Sequence, residues 1–309
     1  MKIVVIGAGA MGTLYGGRLA LAGEEVTMVD VVEKAVRHMD AEGLTLELAD
    51  GVHTAKVSAR LAAEMDFAAD LVILFTKSVY SRAALESAKT FIGPDTVVMT
   101  LQNGLGNLEL VNEYLPRERI IVGISDFPSD LIETGHIRSI GEGHTRIMTA
   151  SGEETDFLRK VCDSFEAAGL HCSITPDIMA TIWTKVAVNA TANSITSVCR
   201  LRCGVLISTP EAWQLALRIL DEVVAVAAAD GVKLDREAIV DNVHKVMEAM
   251  PGHLTSMEQD VLAKRPTEVG SINGGVVKKA KALGLDAPCN ETMYLLIRTI
   301  EQNYQDQIL

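Results

Sequence analysis

Lys2-Ile3-Val4-Val5-Ile6-Gly7-Ala8-Gly9-Ala10-Met11-Gly12 is a short apolar run that breaks into a G-x-G-x-x-G turn, and its reading decides the fold. The helical pattern Thr13–Ala22 follows and stops at Gly23. A second apolar run, Glu25–Val29, then ends at Asp30, eighteen residues past Gly12. Strand, glycine turn, helix and strand in that order make a βαβ unit of the dinucleotide-binding kind. Gly7 permits the tight turn, Gly9 lets backbone approach a pyrophosphate, and Gly12 allows close packing of the helix. The amides of Ala8, Ala10 and Met11 complete the expected cradle, because the first turn of a helix has unpaired N–H groups and a positive dipole end. The hexapeptide alone would fit many glycine turns; the flanking strands and helix make it specific.

Asp30 bears on the choice of cofactor. A carboxylate at the end of the second strand accepts hydrogen bonds from an adenosine ribose 2′-OH and repels a 2′-phosphate. The nearest cations are Lys34 and Arg37. This favours NAD, against the alternative that Asp30 caps a helix over Val31–Met39 with Lys34 turned to a phosphate.

Outward from this unit, the apolar runs Leu71–Phe75, Thr96–Leu101 and Arg119–Ile124 recur with room for crossover helices between them. Continuous β-branched runs indicate strands buried on both faces, hence a parallel sheet. Leu44–Leu48 and Thr54–Val57 read as a small excursion about Asp50-Gly51. Gly135, Gly141 and Gly143 punctuate the following stretch, and Thr145–Met148 reads as a further strand. Near residues 174–178 the pattern turns almost wholly helical, with a long apolar-periodic segment Ala212–Ala229 that Gly231 stops. The expected fold is α/β, a Rossmann-type doubly wound, mostly parallel sheet in residues 1–175, followed by an all-α domain in residues 176–309.

The 309 residues suit two cores rather than one. Aromatics are only 4%, so Ala, Val, Leu, Ile and Met must fill them. A formal net charge of −13 argues against nucleic acid as a partner, since Lys278, Lys279 and Lys281 form the sharpest basic cluster and read as a solvated helix face. The five cysteines have no repeated spacing; Cys199 and Cys203 could meet on one helix turn, but no His or carboxylate pattern completes a metal site. No apolar run reaches the roughly 18 residues of a membrane span, and no signal peptide is read, so a cytoplasmic protein without a membrane partner is expected.

The segment Ile182-Trp183-Thr184-Lys185-Val186-Ala187-Val188-Asn189-Ala190-Thr191-Ala192-Asn193-Ser194 carries the chemistry. Lys185, Asn189 and Asn193 recur every fourth residue and align along one side of a helix. One ammonium and two carboxamides suit a carbonyl and a carboxylate. Alternatively Lys185 snorkels to solvent and the asparagines satisfy buried backbone. Spacing does not choose between the two. Ser256 and Glu268 form a second polar group, within a stretch whose other carboxylates read as exposed. Asn103-Gly104 is an ordinary turn that gains interest from following a sheet strand.

Gly7–Gly12, Thr76-Lys77, Leu101-Gln102-Asn103-Gly104, Trp183-Thr184-Lys185 with Asn189 and Asn193, and Ser256 through Glu268 to Ile272-Asn273-Gly274 together resemble the ketopantoate reductase family. The resemblance covers essentially the whole chain. It implies NAD(P)H as cofactor, a small 2-oxo acid as substrate and a helical domain of the 6-phosphogluconate dehydrogenase type. Lys185 becomes the general acid and Glu268 its support. Asn189, Asn193 and Ser256 become substrate ligands, and Lys77 and Asn103 contact the cofactor or its ribose. Family likeness allows a monomer or a homodimer. The chain departs from the pattern at Asp30, where ketopantoate-reducing members usually carry a basic residue. It departs also at Cys203, often Asn, and at Gly270, often acidic. Asp30 fits better the family's branch that resembles NAD-dependent D-2-hydroxyacid (D-mandelate type) dehydrogenases. A non-catalytic dinucleotide sensor on the same fold is the reading from another class.

Overall fold

The computed structural model describes residues 1–307. The chain divides into two compact units. One comprises Met1–Gln102 with Asn107–Ile178, and the other Met179–Leu309 with the tetrapeptide Asn103–Gly106.

The first unit runs β1 (Lys2–Ile6), α1 (Ala10–Leu21), β2 (Glu25–Val29), α2 (Glu33–Glu42), β3 (Leu44–Leu48), β4 (Gly51–Ala55), β5 (Ser58–Arg60) and β6 (Leu71–Leu74). It continues with α3 (Ser81–Ala88), β7 (Val97–Thr100), α4 (Asn107–Asn112), β8 (Ile120–Ser125), β9 (Asp130–Glu133), β10 (His136–Ser139), β11 (Thr145–Thr149), α5 (Asp156–Ala167) and β12 (Cys172–Ile174). Eight strands form one sheet in the order β12-β11-β8-β7-β6-β1-β2-β5. All neighbours in it are parallel except β8 and β11. Every residue of β6, β7 and β8 is buried, as their unbroken apolar runs require. Strand order reverses direction at β1, with β2 on one flank and β6 on the other. The loops leaving β1 and β6 therefore border the switch point where ligands bind in open α/β sheets.

A second sheet of four strands, in the order β4-β3-β10-β9, corrects part of the sequence reading. The stretch read only as glycine punctuation contains the antiparallel pair β9–β10, and β10 then runs parallel to β3. The short strands β5 and β12 were likewise not expected. The core of this unit is aliphatic, with one aromatic cluster. Tyr15 of α1 lies 4.8 Å from Phe75 and 5.6 Å from Phe165, centroid to centroid, and its hydroxyl pairs with Thr145 Oγ1 at 2.7 Å. Burial raises the Tyr15 phenol far above its ordinary pKa.

The second unit is helical: α6 (Ile178–Cys199, whose first residue falls in the other unit), α7 (Cys203–Ser208), α8 (Pro210–Ala229), α9 (Arg236–Ala249), α10 (Ser256–Leu262), α11 (Asn273–Ala282) and α12 (Pro288–Gln302). Pro210 opens α8, where its missing N–H costs nothing. Gly231 stops it as expected: the Gly231 and Val232 amides donate to Ala228 and Ala227 at 3.1 and 2.9 Å. Cys199 and Cys203 do not share a helix turn, because α6 ends at Cys199 and α7 begins at Cys203. Lys278 is exposed, while Lys279 and Lys281 pair with Asp230 and Glu291 at 3.3 and 2.6 Å. No helix among the described residues is long and apolar enough to cross a membrane.

The helix α6 is buried despite its hydroxyls because they bond to its own backbone. Thr191 donates to Ala187 O at 2.7 Å, Ser194 to Ala190 O at 2.6 Å and Ser197 to Asn193 O at 2.6 Å. Its apolar side, with Trp183, Val186, Ala187 and Ala190, joins the core shared with Ile219 and Val223 of α8, Val243 of α9 and Val276 of α11.

Candidate functional site

In the first unit the cradle is built as the glycines require. Gly7 has φ +99°, and a side chain there would press on the Phe75–Thr76 backbone at 3.0 Å. A Cβ on Gly12 would fall 1.8 Å from the Gly7 carbonyl oxygen, so only glycine lets α1 start this close to the turn. Nothing lies within 4 Å of a Cβ built on Gly9. Gly9 is the N-cap of α1 and supplies no side-chain cap, so the first amides of the helix have no capping side chain. A helix N-terminus fronted by room and glycine fits a pyrophosphate.

Asp30 is wired into this loop. Its carboxylate accepts from the Ala8 amide at 2.8 Å and from the Val32 amide at 3.1 Å. It does not cap α2, which starts at Glu33 behind Val32. Each carboxylate oxygen retains a lone pair, so Asp30 can fix the glycine loop and still accept a ribose hydroxyl. Lys77, half-buried, begins the loop after β6, where its carbonyl accepts from the Tyr80 amide at 2.8 Å. Gln102 was quoted only as part of a motif, yet it organises this edge. Its side-chain Nε2 donates to the Thr76 carbonyl and, at 2.7 Å, to Ser81 Oγ, while its Oε1 accepts from Thr100 Oγ1 at 2.9 Å.

In the second unit Lys185, Asn189 and Asn193 lie on α6 as the four-residue spacing predicts. Lys185 and Asn189 are half-buried and Asn193 is buried. The hydroxyls around them are paired, but the Asn189 and Asn193 carboxamides have no hydrogen-bond partner among the described residues. They do not serve buried backbone, which removes that explanation of the stripe.

Glu268 is held by the tetrapeptide that follows β7. Asn103 Nδ2 donates to Glu268 Oε2 at 2.9 Å. Ser271 Oγ donates at 3.1 Å to the carbonyls of both Asn103 and Glu268, and the Leu105 amide donates to Ser271 O at 2.7 Å. Gly104 has φ +94°, and a Cβ on it would strike the Ser271 backbone at 2.4 Å. Ser271 was not singled out from the sequence, which gives no signal for it. Asn103, which the resemblance places at the cofactor or its ribose, also donates its amide to this glutamate.

Ser256 is exposed at the start of α10, behind the N-cap Thr255. The neighbouring carboxylates are not exposed, contrary to expectation. Glu258 is 2% exposed and Asp260 9%. Asp260 accepts from Arg265 Nε at 3.0 Å, but Glu258 Oε2 is buried with no partner. Burial raises the Glu258 carboxyl to about 7, against a smaller pull from Arg202.

A switch-point glycine cradle in a mostly parallel sheet, together with a helical unit carrying a Lys–Asn–Asn stripe and a held glutamate, defines an NAD(P)-dependent oxidoreductase. The chain belongs to the ketopantoate reductase family. Residues 3–152 match the profile for Ketopantoate reductase PanE/ApbA, and residues 177–301 match its C-terminal counterpart. A 2-dehydropantoate 2-reductase of Pyrococcus horikoshii is 32% identical over 305 residues, covering 97% of this chain and 98% of that protein. One of Archaeoglobus fulgidus is 31% identical over 302 residues, covering 97% and 98%. Among solved structures, a D-mandelate dehydrogenase with NADH and anilino(oxo)acetate superposes with a TM-score of 0.94 at 28% identity, covering 99% of this chain and all of that one. Family members bind NAD(P)H, which agrees with the cradle.

Proposed function

We propose that the protein reduces a small 2-oxo acid to its 2-hydroxy acid, ketopantoate to D-pantoate being the first candidate. The observation that carries this is the pair of unpaired carboxamides, Asn189 and Asn193, aligned with Lys185 on one side of α6. Uncommitted amides beside an ammonium suit a carboxylate next to a carbonyl. The glycine loop and Asp30 hold the dinucleotide, whose nicotinamide, when bound, supplies hydride to the keto carbon. As that carbon is reduced, its oxygen gains negative charge, and Lys185 donates first a hydrogen bond and then a proton to it. Glu268, oriented by Asn103, favours the ammonium form of Lys185 and so keeps the donor loaded. Asn189 and Asn193 fix the substrate carboxylate, with the Ser256 hydroxyl as a third contact. The relatives at about 30% identity, which are 2-dehydropantoate 2-reductases, support this reading.

A second reading rests on Asp30. Its carboxylate disfavours a 2′-phosphate, and the D-mandelate dehydrogenase structures of similar fold contain NADH. This supports an NAD-dependent D-2-hydroxyacid dehydrogenase on the same frame. Initial rates with ketopantoate, phenylglyoxylate and 2-ketoisovalerate, each against NADH and NADPH, separate the two. Fast ketopantoate reduction establishes the first, whereas weak ketopantoate turnover beside rapid NADH oxidation with the others establishes the second. No oxidation with any of them removes both.

The Asp30→Ala variant is expected to weaken NADH binding about tenfold, the scale of one charge-assisted hydrogen bond, while NADPH is affected less or gains. Fluorescence titration of both cofactors reads this directly. Equal losses for the two would mean that Asp30 acts only through the Ala8 amide.

A further inference from the structure

We infer that Asn273 is a positioning residue for the reaction, setting the register of the Lys185 helix against the Glu268 loop; this rests on the proposed roles of Lys185 and Glu268. Asn273 is fully buried at the first position of α11. Its Nδ2 donates to the Ala190 carbonyl of α6 at 3.2 Å and to Asn290 Oδ1 at 3.1 Å. Ala190 directly follows Asn189 in the chain and precedes Asn193 by three residues, so its carbonyl belongs to the backbone that carries the stripe. On its other side Asn273 is joined to the glutamate. The Ser271 and Ile272 amides donate to Glu268 O at 3.1 and 3.0 Å, and Gly274 N donates to Val269 O at 2.8 Å. The turn that carries Glu268 therefore ends in a side chain bonded to the backbone of the stripe.

The orientation of that side chain is fixed by its partners. Asn290 spends its own Nδ2 on Ile219 O at 3.2 Å and on Glu222 Oε2 at 2.8 Å, so only its oxygen faces Asn273. The Cys289 and Asn290 amides also donate to Glu222, at 2.8 and 2.9 Å, which locks α12 to α8. Flipping Asn273 would set its oxygen against two acceptors. In the observed orientation Asn273 Oδ1 is buried without a partner, a cost that a purely apolar residue would avoid. The Ala190 carbonyl does not need this bond for satisfaction, since Ser194 Oγ already donates to it at 2.6 Å. What the contact adds is a fixed distance between two chain segments. Misplacement of catalytic groups by about 1 Å can cost as much as 100-fold in rate.

The test compares Asn273→Ala and Asn273→Ser with Val243→Ala, which opens a cavity in the same core where α9 packs on α7 and α8 and touches none of the hydrogen bonds of Asn273. Asn273→Ala is expected to lower kcat at least about tenfold with cofactor affinity unchanged. Asn273→Ser, which retains one donor, should lie between it and the parent. Val243→Ala should match or exceed the loss of thermal stability yet keep its kcat. A second readout needs no substrate: the 13C signal of reductively methylated Lys185, assigned through Lys185→Arg. It should titrate at lower pH in Asn273→Ala, because a shifted helix loosens the hold of Glu268 on the ammonium. An unchanged Lys185 titration, or a rate loss that merely tracks stability across all three variants, overturns the inference. Absence of turnover in the parent with every 2-oxo acid would overturn the substrate reading instead, and the Lys185 titration would still judge Asn273.

Discussion

Replacing Lys185 with alanine is expected to lower kcat for 2-oxo acid reduction by about 10²- to 10⁴-fold, the usual contribution of a positioned general acid. NADH or NADPH affinity should stay within about twofold, because the glycine loop, Asp30 and Lys77, all but one of the groups assigned to dinucleotide binding, lie in the other unit. The size of the loss depends on what else near the stripe could donate a proton. The hydroxyls of Thr191, Ser194 and Ser197 already donate to α6 carbonyls, and the Asn189 and Asn193 carboxamides are too weak as acids to finish the transfer. Lys185→Arg should recover little, since a guanidinium is a much weaker acid than an ammonium and presents its donors in a larger, planar fork that does not fit the position of the lysine. Stopped-flow single turnovers with preformed binary complex separate chemistry from product release. A Lys185→Ala enzyme that reduces substrate at near-parent rate in that experiment would remove the lysine from the mechanism and return the stripe to a binding role.

The dinucleotide half was legible because its signals are local. The run Ile3–Ile6, the glycines at 7, 9 and 12 and the strand ending at Asp30 each carry their own geometric reason, and the structure realises each. The stripe was legible as a spacing, because a four-residue period needs only one helix. What the sequence could not show are choices made by distant chain. The hairpin β9–β10 has mixed polarity in Asp130–Glu133 and His136–Ser139, and becomes a sheet only through its pairing with β3. Asn103 lies 165 residues before the glutamate it orients, and nothing near either residue announces the pair. Asn273 was visible only as a letter in a motif, since its partners at Ala190 and Asn290 come from two other helices. Glu258 was misread for the same reason. A glutamate at the third position of a short helix is ordinarily solvated, and only the packed surroundings bury it.

That burial carries the second large expectation, a loss of stability of the helical unit as pH rises from about 4.5 to about 7. In the unfolded chain Glu258 titrates near 4.5; in the fold burial moves it to about 7, with Arg202 opposing. The folded state therefore binds the proton more tightly. Its stabilising effect is complete below the unfolded value and fades until the folded value is passed, above which the carboxylate is ionised in both states. At about 1.4 kcal/mol per unit, the ionised form costs the fold roughly 3 kcal/mol. The structure shows why: Oε2 has no donor, and the electrostatic neighbour at the start of α7 is the buried thiol of Cys203, which burial and then Glu258 itself push upward. Glu258→Gln keeps the size and removes the charge. At pH 8 it should exceed the parent by up to roughly 3 kcal/mol, and at pH 4.5 the two should nearly coincide. Both tryptophans, Trp183 and Trp213, belong to the helical unit, so urea unfolding followed by their fluorescence reads this unit alone. Parallel stability profiles for the two proteins across that range would mean that the carboxylate finds a donor the fold does not show. A gap that opens between about pH 4.5 and 7 and stays level above that would instead locate the cost in its ionisation, and would make the helical half of this reductase more stable in mild acid than at neutral pH.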